Sequence, residues 1–126
     1  MALAILSRIV VGLLLIVHGF AHYNLPSLWG SRPEVHSWLL GNLGQASMRA
    51  VGNALWLATL LIFLAAGIVT FTNQPLWRIL TIGGSVISLL IMLLFWDGKM
   101  ILGVIVNVAV LAALLWLKWP PAHLIR

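Results

Sequence analysis

The chain has 126 residues, 63% of them hydrophobic and 7% charged, with a mean hydropathy of +1.13. A water-soluble domain of this size has no way to hide so much apolar surface, which excludes a soluble enzyme. The formal charge of +5 comes from seven Lys and Arg residues scattered singly; without a basic stripe they exclude a nucleic-acid partner and read as loop-end charges facing lipid headgroups.

The first apolar stretch, residues 3–23, has about the 20 residues that cross a ~30 Å hydrocarbon core. Gly19-Phe20-Ala21 loosely mimics a signal cleavage site, but the basic start is weak and the stretch reads as an uncleaved first span. At ~100° per residue, Arg8, Gly12, Gly19, His22 and His18 fall on one face. Polar and small residues avoid lipid, so this face is expected to look into a bundle. Arg8 lies about two turns inside the apolar run and reads as snorkelling to the interface.

A connector of about 25 residues follows. Ser31-Arg32-Pro33-Glu34 has the form of a capping box with an early proline, and Gly41 is a natural stop, which predicts a short helix over 32–40. Val35, Trp38 and Leu39 share one of its faces. Such a helix lies flat at the membrane surface, either as an anchor or as a lid over an intramembrane site.

Three further spans are predicted over 49–71, 76–96 and 99–119. Thr72-Asn73-Gln74-Pro75 offers capping side chains and an early proline for the third span, and Asp97-Gly98 breaks the chain before the fourth. Trp119-Pro120-Pro121 ends it, and the seven tryptophans cluster near the interfaces. The whole chain is thus expected to be one all-α, four-transmembrane-helix bundle with an interfacial helix between spans one and two. The charge distribution sets Arg8, Arg78, Lys118 and Arg126 on one side and Arg32, Arg49 and Lys99 on the other. This places the bundle in the cell (inner, cytoplasmic) membrane with both termini cytoplasmic.

Each later span has its own small or polar face: Asn53, Trp56, Leu60 and Gly67 on the second; Thr81, Gly84, Ser85 and Ser88 on the third; Lys99, Gly103 and Asn107 on the fourth. Close helix packing accounts for the small residues. Asn107 lies near mid-bilayer, where an unpaired amide is costly, so an interhelical hydrogen bond or a ligand contact is expected there. Antiparallel order brings His18, His22, Asn53, Asp97 and Lys99 to one end of the bundle, beneath the connector. This arrangement suggests a polar pocket, with Asp97 and Lys99 also able to pair at the surface.

The candidate binding residues are therefore His18, His22, Asn53 and Asn107. Neutral imidazoles four residues apart on a helix can ligate iron, copper or the magnesium of a chlorophyll, hydrogen-bond a quinone headgroup, carry protons, or serve as structural interface groups. Only His36, His123, Asp97 and Glu34 remain to complete a metal site, and no cysteine is present for a disulfide, a thiolate site or a CxxC redox centre.

Arg8, Gly12, Gly19 and His22, in the frame R-x3-G-x6-G-x2-H, resemble the opening helix of the DoxX-like proteins, in which an arginine, two glycines and a basic residue, commonly lysine, recur with this spacing. The resemblance is strongest over residues 7–23, and four spans of this total length are also similar to that family. It implies a subunit of a membrane quinone-linked oxidoreductase. The reading taken forward is a small, mainly structural or quinone-proximal subunit of a larger membrane complex, with other subunits or further copies of itself as partners alongside bound lipids. The alternatives are a subunit in which His18 or His22 ligates haem or chlorophyll, and a small homo-oligomeric transporter.

Overall fold

A computed structural model describes residues 2–23, 34–72 and 75–121 of the chain. Its described residues form four long helices: α1 (Ala2–Tyr23), α2 (Gln45–Phe71), α3 (Leu76–Leu94) and α4 (Ile101–Leu111). A 3-10 turn, Gly98–Met100, leads into α4, and a π turn, Ala112–Trp116, continues it. With its flanking turns α4 runs Gly98–Trp116, and all four spans are then long and apolar enough to cross a membrane, with mean hydropathies of 1.9 to 2.3 and few charges. The protein is an all-helical four-span bundle, a membrane protein by the length and composition of its helices.

α1 packs chiefly on α2, α2 on α3, and α3 on α4. The two middle helices are accordingly the more buried pair, and α1 and α4 present most of their apolar side chains outward. The α1–α2 contact is closest at Gly12 and Gly67. A Cβ on Gly67 would lie 2.8 Å from the Gly12 carbonyl oxygen and 2.6 Å from Ile16 Cγ1, so the two backbones meet only because neither residue has a side chain. Higher on the same seam Gly19 faces Phe63 and the Leu60 carbonyl.

α4 does not continue as one straight helix to its end. The Leu117 N–H donates to the Ala112 carbonyl at 3.1 Å and the Trp119 N–H to the Ala113 carbonyl at 2.9 Å, which widens the last turn just before Pro120 and Pro121. Prolines donate no backbone hydrogen bond and stop the ladder there. Arg78 of α3 fastens this end: its Nη2 donates to the Lys118 carbonyl at 3.2 Å and to the Pro120 carbonyl.

The helix expected over 32–40 is not formed in its described part. Glu34–Ser37 has no regular structure, Trp38–Leu40 is a turn, and the only helical piece is a 3-10 turn over Gly41–Leu43; the proposed cap residues Ser31, Arg32 and Pro33 lie outside the described residues. The reason is competition for the backbone. The Gln45 side-chain amide accepts from the Val35 N–H at 2.8 Å and donates to the Val35 carbonyl at 2.9 Å, pairing it as a neighbouring strand would. The Ser37 hydroxyl accepts the Leu40 N–H at 3.1 Å. So short a helix has too few internal bonds to outbid these. Gly44, at φ 77°, then turns the chain into α2.

Candidate functional site

The centre of the site is Ser88, on the α3 face that also carries Thr81, Gly84 and Ser85, all buried. Asn107 of α4, fully buried, donates from Nδ2 to Ser88 Oγ at 3.0 Å and to the Gly103 carbonyl one turn back at 2.8 Å. His22 of α1, 2% exposed, has Nε2 3.4 Å from the same Ser88 oxygen. The Ser88 hydroxyl has one donor and two acceptor sites, so it takes the Asn107 amide and meets His22 Nε2 in whichever direction the imidazole tautomer sets. A relay thus runs from α4 through α3 to α1.

His18 lies one turn before His22, their ring centroids 5.1 Å apart and nearly perpendicular. α2 supplies the aromatic walls. Phe63 stacks on His22 at 5.7 Å and meets His18 edge-on at 4.5 Å, while the Trp56 ring lies 5.1 Å from His22. Phe63 and Trp56 are almost wholly buried. Asn107 also lies within electrostatic reach of the His18 imidazole, although His18 Nε2, His22 Nδ1, Asn107 Oδ1 and Ser85 Oγ are all buried without a hydrogen bond of ordinary geometry. All four helices therefore contribute to one polar cluster inside an apolar bundle.

Of the residues expected to converge, His18 and His22 come together, while Asn53, Asp97 and Lys99 do not join them; Asn107 makes the interhelical hydrogen bond expected of it, to Ser88. Asn53 is exposed: the α2 residues that turn inward are Met48, Gly52, Trp56 and Thr59, and Asn53 stands ~100° away from that row. α2 has 27 residues, hence about 40 Å of length against a ~30 Å core. Gln45, Arg49 and Asn53 all occur in its first turns, where an exposed amide meets headgroups. Asp97 is half-buried and caps the turn into α4, its Oδ1 accepting the Lys99 N–H at 2.9 Å, while the Lys99 side chain is exposed.

Among the described residues the packing at this end is apolar. Val35, Met48, Ile91, Met92, Phe95 and Met100 fill it as an apolar cluster. The connector does close the end, with Val35 as its plug and the Trp38 indole N–H donating at 2.7 Å to the Leu93 carbonyl, one of the last-turn carbonyls that α3 itself leaves without a partner.

One residue that matters here, Phe63, is not singled out from the sequence, and a second, Ser88, is named there only for its small size. Phe63 falls seven residues after Trp56, on the same face as Trp56 and Gly67, and that spacing is the signal. Ser88 is legible as part of a small-residue stripe, but its role as the shared partner of two other helices needs the three-dimensional register.

The donor set also bears on the cofactors considered. Among the described residues no three His, Cys, Asp or Glu side chains come together as a metal site. At His22 the in-plane approach to Nε2 is occupied by Ser88, and aromatic rings lie against both imidazoles. Comparison with family models, with curated proteins and with solved structures finds no match to this chain.

Proposed function

We propose that this protein is a small integral subunit of a larger, quinone-linked complex of the cell membrane. In this reading His18 and His22 hydrogen-bond a quinone headgroup, and Asn107 and Ser88 hold the histidines in place. The observation that carries it is unspent hydrogen-bonding capacity inside the bundle: His22 Nδ1 is buried without a partner, and His18 Nε2 and Asn107 Oδ1, within electrostatic reach of one another, make no hydrogen bond of ordinary geometry. In hydrocarbon such groups are costly and mark a place where something else completes the bonding. A quinone is a flat ring with two acceptor oxygens, suited to imidazole N–H groups and to the rings of Trp56 and Phe63. His18, only half-buried, is the side on which the headgroup approaches.

The chain carries two acidic side chains and no cysteine, so the electron-transfer step belongs to a partner subunit and this chain binds and orients. The similarity of α1 to the opening helix of DoxX-like proteins supports the same reading. Both termini face the cytoplasm in this arrangement, by the distribution of Arg and Lys, and lipid or neighbouring subunits cover the outward faces of α1 and α4.

Native mass spectrometry of the protein, released gently from its own membrane, tests the proposal. The expected spectrum is a multi-subunit assembly carrying quinone. His22→Leu and His18→Leu are expected to remove the quinone while leaving the assembly intact. A small homo-oligomer bearing lipid alone overturns the proposal in favour of a self-contained transporter.

A further inference from the structure

The second feature of the bundle lies at its other end, away from the histidines. Between α1 and α4, floored by α3, runs a cleft of about 130 Å³ open to the side, with walls that include Leu14, Trp77, Val110, Ala113, Trp119 and Pro120. Its lining is almost wholly apolar, and the one hydroxyl in it, Thr81, already donates to the Trp77 carbonyl of its own helix at 2.7 Å. Nothing inside it recognises a polar group. Its volume is comparable with the ~150 Å³ cavity that accepts a benzene-sized apolar body, which suits a stretch of hydrocarbon chain.

The rim has the opposite character. The Arg78 guanidinium is held there by the carbonyls of Lys118 and Pro120, the latter a wall of the cleft, and it sits over the Trp77 ring at 5.5 Å. Both of those hydrogen bonds use Nη2, and a guanidinium has further donors on Nε and Nη1. The exposed Lys118 is adjacent, and Arg8 stands one turn before Val11, which lines the cleft from α1. The chain's only acidic side chains, Glu34 and Asp97, belong to the opposite end. This end is therefore positive with no acidic side chain to offset it.

We infer that this cleft is a binding site for one anionic phospholipid, with an acyl chain seated between α1 and α4 and its phosphate at Arg78 and Lys118. An apolar slot with a cation fixed to its wall at Pro120 and Trp77 distinguishes it from a merely apolar lipid-facing surface. The site is independent of the histidine cluster and of any quinone bound there.

The test uses the full chain in nanodiscs of phosphatidylcholine containing either phosphatidylglycerol or phosphatidylcholine with brominated acyl chains, which quench tryptophan on contact. Trp77 and Trp119 line the cleft. Half-maximal quenching by the brominated phosphatidylglycerol is expected at about 25-fold lower mole fraction than by the phosphatidylcholine, a factor of about five for each of the two cations engaged at the surface. Lys118→Gln and Arg78→Gln are expected each to narrow that difference. Ala113→Phe and, from a different turn, Val110→Phe are expected to abolish it by filling the slot, with helical circular dichroism confirming that each variant is folded. Equal quenching by the two lipids overturns the inference, as does selectivity that survives both filled-cleft variants. Quenching by neither, because a second copy or another subunit covers the cleft, also overturns it.

Discussion

Thr81 and Ser88 sit two turns apart on the same buried face of α3, and the bundle differs around them. The Ser88 hydroxyl reaches outward, taking a bond from Asn107 of α4 and contacting His22 of α1. The Thr81 hydroxyl bonds to its own helix, and there α1 and α4 stand apart and leave the cleft. Lipid is as apolar as leucine, so burial alone gives two helices little reason to meet. They close where a specific device holds them, a bare backbone contact or a shared hydrogen bond, and they stay open where neither is present.

The strongest way to break this comparison is to remove the backbone device. In Gly67→Leu the new side chain meets the Gly12 carbonyl and Ile16, and backbone has nowhere to retreat. Overpacking of this kind costs roughly 3 kcal/mol, and α1 is expected to detach from α2, measured as loss of folded protein in mixed-micelle unfolding. Wild-type stability in that variant would show that glycine approach is not what closes the seam. The hydrogen-bond device comes next. Asn107→Leu should cost about 1–2 kcal/mol, the range for a buried interhelical bond in a membrane protein. Thr81→Val should cost well under half of that, because only a bond within one helix is lost. Equal costs would erase the distinction between the two ends.

The sequence carried the large-scale fold because hydropathy and span length act over ~20 residues and average out local detail. The inward face of α1 was equally legible, since a helix with two histidines and two glycines on one side leaves little choice. Asn53 was misleading for a physical reason: a polar residue near a helix end can meet headgroups as easily as a neighbour, and periodicity alone does not register depth. The 32–40 segment failed differently. Its capping signals were local, while the partner that defeated them, the Gln45 amide, lies ten residues from Val35.

That connector supplies a smaller test. Gln45→Ala removes both bonds to Val35 at a partly exposed site and should lower stability by about 1 kcal/mol. Proteolysis in the connector should quicken accordingly as Val35 leaves its plug position. Unchanged cleavage would mean that the Trp38 bond to the Leu93 carbonyl holds the connector by itself.

The smallest expected effect is the most informative about the polar core. Ser85 lies on the same α3 face between Thr81 and Ser88, is fully buried, and its hydroxyl makes no hydrogen bond. Removing an unpaired buried hydroxyl relieves a desolvation cost while losing little volume, so Ser85→Ala should be neutral or stabilising by about 0.5 kcal/mol. The opposite sign has a definite meaning. If Ser85→Ala destabilises the protein as much as Asn107→Leu, the hydroxyl is bonded in the membrane to something other than this chain, and the ligand or water concerned must lie next to Ser88. Repeating the measurement after organic extraction then separates the two: a penalty that disappears belongs to an extractable ligand such as the proposed quinone, and one that persists belongs to bound water.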